Sequence, residues 1–361
     1  MTRADKAATN AELQVEATTD VTLNAEPVRP RWRTLIASQV FITLGFLIAL
    51  LVIFTIMAPD KFGTAKNLSL LAQNVAILTI VSIGTTFVIA TGGIDLSIPS
   101  GIILGEVFAA NALKLMPAGS GYAIDIAAAD TTIPIILVAL VAAVIAGLII
   151  GSINGWLVAY LRIPPMLATL GTLGAGLGVA LLIQKGVNVA TYALAAVADN
   201  DIIPGISNLV LIAAAVVVIG YIGMHLSVFG RHTLAIGSSE EAARRVGLNV
   251  QRHLLKVYIV GGVASGFAGF VSLSYFTTTS VGGHSTDNLQ AITAVALGGT
   301  SLFGGVATII GTVIGVFIPA VLQNGFIIIK VNPYWQLIAV GVVLVIAVAM
   351  DQWRRRGQNR R

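Results

Sequence analysis

Long apolar runs separated by short polar stretches dominate this chain. A helix needs about 20 mainly apolar residues to cross a bilayer. Nine runs approach or exceed that length: Val40–Ala58, Leu70–Thr91, Ile98–Leu115, Ile133–Tyr160, Met166–Gln184, Ile206–Val228, Leu254–Phe276, Val306–Ile329 and Tyr334–Met350. They are continuous rather than dyad-alternating, which disfavours a membrane β-barrel. Between the seventh and eighth lies the shorter run Leu289–Leu297, which leads into the Gly-rich stretch Gly298–Gly305. This predicts a short or broken helix at membrane depth and brings the expectation to about ten segments. Upstream, Met1–Arg33 is polar, mixes acids with Thr, Ala and Asn, and lacks apolar periodicity. It reads as disordered. Its acids stand where a signal peptide would be basic, so the first run is expected to be retained as a helix. The expected organisation is a tail over 1–36, a transmembrane domain over 37–351 and a basic tail over 352–361, in an all-α polytopic membrane fold.

Composition agrees. Charged residues make up 10% of the 361 and hydrophobic residues 56%, against about 25% charged in soluble domains; mean hydropathy is +0.91. So few charges cannot cover a globular surface, which excludes a soluble enzyme. Cysteine is absent, which removes disulfides and thiolate chemistry. The charges also orient the chain. With the N-terminus inside and ten segments, sixteen Lys and Arg fall on the inner side, among them Arg162, Arg231, Arg252 and Arg354. The other five, Lys61, Lys66, Lys114, Lys185 and Lys330, fall outside. Both basic termini are then cytoplasmic and the number of crossings is even. The net charge of +5 is thus topology and calls for no nucleic-acid partner.

Four stretches interrupt the apolar pattern. Thr91–Gly101 ends one helix and starts another. Gly92 and Gly93 suit the left-handed conformation that closes the second segment, and Ser97 followed by Pro99 suits the N-terminus of the third. Asp95 is costly at membrane depth unless it caps, faces water or meets a partner; for Asp95 and Ser97, capping is favoured over solute contact. In the cytoplasmic stretch after Val228, Ser238-Ser239-Glu240-Glu241 matches a Ser-x-x-Glu capping box. A short helix Glu240–Val246 should follow, with Glu240 and Glu241 in its first turn, then Ala242 and Ala243, then Arg244 and Arg245, and Gly247 as its stop. Spacing alone fits a docking knob and a plain surface helix equally. Within Leu289–Gly305, glycines 298, 299, 304 and 305 permit non-helical backbone, which is tolerated only beside protein or a water-filled cavity. Within Gly151–Gly176, Arg162, Pro164 and Pro165 predict a tight turn, while Asn154 and Thr169 favour interhelical hydrogen bonds. Glu106 is a lone acid inside the third segment and a functional candidate by default, with a structural pairing as its competing role. Asn74, Asp95, Ser97, Asn154, Thr169, Gln290 and Asn324 are the expected polar lining of a solute path.

No phosphate-binding loop, His-Glu-x-x-His site or Gly-x-Ser-x-Gly elbow occurs, and the four histidines do not cluster along the sequence. No catalytic residue, metal or cofactor is expected on this chain. ATP, if used, must be bound by another subunit.

Several blocks, in order, carry a resemblance: Gly-Ile-Asp-Leu-Ser at Gly93–Ser97, Asn154-Gly155, Pro164–Gly171, Gly230-Arg231, Ala235–Arg244 and Gly-Gly-Thr-Ser-Leu-Phe-Gly-Gly at Gly298–Gly305. From about Asn67 to Trp353 the chain resembles the permease subunits of ribose/xylose/arabinose/galactose-type bacterial ABC importers. The resemblance implies a homodimer in the bacterial inner membrane and alternating access. It also implies two cytoplasmic subunits that bind ATP and Mg, and a periplasmic solute-binding protein. It makes Glu240–Gly247 the coupling helix on which the ATPase docks. The outer loop Thr277–Asn288 is then either a contact for the binding protein or a plain loop. There are departures. Asn288-Leu289-Gln290-Ala291-Ile292 stands where the family usually reads Glu-Leu-Asp-Ala-Ile, Ser97-Ile98-Pro99-Ser100 replaces Ser-Val-Gly-Ser, and Glu106 is unexpected. A sugar is the default solute; a polyol, nucleoside or amino acid stays open. A stand-alone ion-coupled transporter using Glu106 and Asp95 is the alternative from another class.

Overall fold

The computed structural model describes residues 39–115, 132–199, 202–203, 205–332 and 334–358. The tail expected over 1–36 and the last three residues of the basic tail lie outside this set. The described residues form helices joined by turns, with isolated β-bridges and no strand among them.

In chain order the helices are α1 Gln39–Met57, α2 Ala65–Ala90, α3 Ile98–Lys114, α4 Ile133–Ala159, α5 Pro165–Gln184, α6 Ala195–Asp199 and α7 Asn208–Tyr221. A π-helical turn, Ile222–Leu226, extends α7. There follow α8 Val228–Ser238, α9 Glu240–Arg245, α10 Val250–Phe276, α11 Asp287–Leu297, α12 Ile309–Ile328 and α13 Tyr334–Gln358. Among the described residues, seven helices are long and apolar enough to cross a membrane: α1, α2, α4, α5, α7 with its π turn, α10 and α12. The remaining predicted segments are α3 (17 residues), the 11-residue α11, and α13. The figure of ten is therefore approximate, and two of the ten are short because a break precedes or follows them.

Where boundaries moved, local chemistry explains it. α2 starts a turn earlier than its apolar run because Thr64 caps it, Oγ1 accepting from Asn67 N (3.2 Å). α10 starts early because Asn249 Oδ1 accepts from Arg252 N (3.0 Å). α13 runs on to Gln358. Hydropathy marks only the lipid-length part of a helix, whereas a helix continues for as long as its backbone can pair. The apolar runs do not predict α6 or α8: at five and eleven residues, both are too short to register as spans.

Burial ranks the helices. In α2, 83% of the spanning window is buried, against 22% in α1 and 28% in α5. α2 is thus central, and α1 and α5 are peripheral with apolar faces turned outwards. α10 packs along α4, α3 and α2. It does so through backbone contact: a Cβ on Gly147 or Gly262 would collide with the other helix's backbone, and one on Gly105 would lie 2.5 Å from Gly266 O. Small residues let helices approach this closely where lipid supplies no hydrophobic drive to hold them together.

Candidate functional site

The break between α2 and α3 is held by a buried polar chain. Asp95 Oδ1 accepts from Ser97 N (2.8 Å) and Ser97 Oγ (2.6 Å). Asn154 Nδ2 of α4 donates to Ser97 Oγ (2.7 Å), and Thr172 Oγ1 of α5 donates to Asn154 Oδ1 (2.6 Å). Thr169 Oγ1 accepts from Leu96 N (3.0 Å). All five side chains are buried. Asp95 thus satisfies a backbone donor two residues on, as Asp does in turns. Ser97 stands at the N-cap of α3, but its hydroxyl caps nothing; Asp95 and Asn154 occupy it. Three of the expected path residues, Asp95, Ser97 and Asn154, therefore spend hydrogen bonds on one another, and Thr169, the fourth in this region, spends its own on the backbone of the break. Thr172 belongs to the chain too, one helical turn beyond Thr169.

The second break joins α11 to α12. Gly299, Gly304 and Gly305 have φ of 93°, 84° and 81°, and Gly92 has φ of 80°, values that favour glycine. Gly298 instead is helical (φ −62°) and abuts the Gly311 backbone. Gly93 does not adopt positive φ; a Cβ there would lie 2.6 Å from Tyr258 Oη. The two breaks meet. Gly305 N donates to Ala90 O, the last residue of α2 (3.0 Å). A Cβ on Gly304 would stand 2.7 Å from Gly92 N and 2.8 Å from Gly237 O. Gly237 lies at the end of α8, two residues before the cap of α9. One backbone cluster thus joins both breaks to the base of the α9 knob.

On that knob the cap is Ser239, whose Oγ accepts from Ala242 N (3.2 Å), one residue later than the capping-box reading had it. Ser238 closes α8 and its Oγ donates to Leu234 O (2.9 Å). Arg244 pairs with Glu240 (2.6 Å) and Arg245 with Glu241, both i,i+4. These pairs are exposed and each adds only about 0.3–0.5 kcal/mol. Ala243 packs with Ile236 and Val250, and Gly247 (φ 85°) ends the turn. Val246 at the tip is 78% exposed, an apolar side chain beside four charged ones.

Cavities lie towards opposite ends of the bundle. One of about 530 Å³ is bounded by Thr91, Gly92, Gly93, Arg162, Pro164 and, from the knob, Glu240 and Arg244. Tyr258 also lines it, and its buried hydroxyl has no partner. The other, about 390 Å³, is lined by Asn74, Gln290 and Asn324, the remaining three expected path residues. Gln323, His284, Asp287 and Phe276 complete its polar and aromatic wall. Asn324 and Asn67 exchange paired amide hydrogen bonds (3.0 Å each).

Glu106 is fully buried behind this second cavity. Its Oε1 accepts from Ser272 Oγ (2.7 Å) and meets His284 Nε2 (3.0 Å); its Oε2 accepts from Ser280 N (2.8 Å). His284 Nδ1 meets Asp287 Oδ2 (2.7 Å). His284 sits in the turn before α11. Burial works against its charged form, but the hydrogen bonds and charges of Asp287 and Glu106 outweigh burial and hold it up at about 10. Sequence reasoning marked Glu106 but not its partners, which lie more than 160 positions away. Nor are the histidines wholly scattered: the rings of His232 and His253 lie 5.9 Å apart. The loop at this end is structured, with Thr279 N donating to Val189 O (2.9 Å) and Thr191 N to Thr277 O (2.8 Å).

A family model described as "Branched-chain amino acid transport system / permease component" matches residues 67–348. Among curated proteins, the galactose/methyl galactoside import permease of Escherichia coli (strain K12) is 34% identical, over 85% of this chain and 93% of its own. The fructose import permease of Rhizobium meliloti is 30% identical over 89% and 87%. A probable ABC transporter permease of Sinorhizobium fredii is 33% identical over 81% and 83%. No solved structure matches the chain. The chain therefore belongs to the family of membrane-spanning permease subunits of ABC importers that also holds these sugar permeases.

Proposed function

We propose that this subunit carries a sugar or a related small polar solute across the bacterial inner membrane by alternating access. The observation that supports it most is the arrangement of parts. A cavity at each end is separated by two broken helices whose loops touch each other and the base of the α9 knob. A push on α9 reaches both breaks through Gly237, with no need for a long relay. Proteins switch between discrete packings rather than deforming smoothly, and backbone held by interlocked glycines suits such a switch.

In this reading α9 docks on a cytoplasmic ATP-binding subunit, which holds ATP and Mg. The 390 Å³ cavity faces the periplasm, where a solute-binding protein delivers cargo near the loop before α11. Both termini are cytoplasmic, and a second copy of the chain completes the path. The exposed Val246 is the apolar anchor and the charges around it set the register, since docking affinity concentrates in a few desolvated contacts. The test is co-purification. Val246→Asp should release the ATP-binding subunit while the permease still folds, because the side chain is exposed and bonded to nothing. Retention of that subunit would mean that α9 is not the docking element.

A further inference from the structure

We infer that the cavity lined by Asn74, Gln290 and Gln323 is a charge filter: Asp287 gives its wall a negative charge, so uncharged or amine-bearing polyhydroxy solutes enter and carboxylate- or phosphate-bearing ones do not. The inference rests on the transport reading above and deepens it by assigning the exclusion of anions to one named carboxylate.

Two observations carry it. The first is what the wall offers. The side chains of Asn74 and Gln323 face the cavity without a hydrogen-bond partner. Gln290 engages only its Nε2, donating to Thr286 Oγ1 (3.2 Å). An amide presents donors and an acceptor together, as a sugar hydroxyl does, and Phe276 adds an apolar face. The volume of about 390 Å³ sits at the small end of ligand cavities, about 300–1,000 Å³, which suits a monosaccharide-sized solute.

The second is what the wall withholds. Among the described residues its lining contains no Lys or Arg, and His284 is the one cationic group there. Both ring nitrogens of His284 are taken, Nε2 by Glu106 and Nδ1 by Asp287. An incoming anion finds no free N–H there. His284 engages only one oxygen of Asp287, Oδ2, and the negative charge of that carboxylate is not enclosed with it. Glu106 is fully buried, while Asp287 is partly exposed at the cavity, so that charge is felt through Asp287. Glu106 and His284 act through it: they are positioning residues that fix the carboxylate at the N-terminal turn of α11.

The absence of cysteine gives a clean test in the full chain, in membranes. Gln323→Cys places a single thiol in the cavity. Its modification rate is measured with a cationic trimethylammonium methanethiosulfonate and an anionic sulfonate analogue, each normalised to a free thiol in solution. The expected normalised cation-to-anion ratio is about tenfold, as for clefts lined by one sign of charge. Adding Asp287→Asn should bring it close to one, and Asp287→Glu should restore it. A ratio near one in Gln323→Cys alone, or one that Asp287→Asn leaves unchanged, overturns the proposal. So does labelling by neither reagent, because then no aqueous path reaches the cavity. No transport is measured, so these outcomes stand apart from any failure of the transport reading, which ATP-driven uptake tests directly.

Discussion

Gly237 is the point at which the coupling argument is most exposed. It lies at the end of α8, against the last residue of α2 and the second break. A methyl group there would run into Ala90 O and lie 2.6 Å from Gly305 N. Both are backbone atoms, so no side chain can swing aside to relieve the contact. Overpacking of this kind costs about 1–3 kcal/mol. If the contact opens in one transport state and closes in the other, only the closed state bears the cost. About 2 kcal/mol acting on one state shifts the equilibrium between them by about thirtyfold. Gly237→Ala should therefore fold, insert and bind its ATPase, yet lose most solute uptake while ATP hydrolysis continues. The assay is paired measurement of uptake and phosphate release in proteoliposomes, with thermal melting of the same preparation. Normal coupled uptake by Gly237→Ala would refute the idea that the α8–break contact transmits the stroke. Gly171→Ala is the control, since nothing lies within 4 Å of a Cβ there.

Two further outcomes follow from the same geometry. Asn154→Ala would remove one hydrogen bond from each of buried Ser97 and Thr172, which keep Asp95 Oδ1 and Thr169 O as partners, a loss of about 0.5–1.5 kcal/mol per bond, read as a lower melting temperature in detergent. His284, held up at about 10, binds its proton more tightly folded than unfolded, so its stabilising contribution is complete below about pH 6.5 and is lost as pH rises through about 10. Melting temperature should therefore fall from neutral to alkaline pH, and less steeply in His284→Gln than in the parent.

Much of this architecture is legible in the sequence because lipid leaves few options. A run such as Ile133–Tyr160 can only be a buried or spanning helix, and α4 ends within a residue of that expectation. The Gly-Ile-Asp-Leu-Ser break was equally readable, since Asp at membrane depth demands a partner. What the sequence did not disclose was three-dimensional meeting. Gly92, Gly237 and Gly304 are far apart in the chain and each looks like an ordinary break or packing glycine; only the fold puts them in contact. Glu106 stood out as an anomaly, but the histidine that meets it lies 178 positions later in the chain. Gln323 was missed because a polar residue near a helix end gives no signal of which way it faces. The cap of α9 shifted from Ser238 to Ser239 because two adjacent serines match the start of a helix almost equally well.

The most direct test of the account is solute accumulation in proteoliposomes containing the permease, its ATP-binding partner and its binding protein, with a panel of labelled neutral monosaccharides. The account predicts uptake of at least one of them that needs both ATP and the ATP-binding partner and is lost in Val246→Asp. Concentrative uptake by the purified chain alone, driven by an ion gradient and abolished by Glu106→Gln, would contradict it.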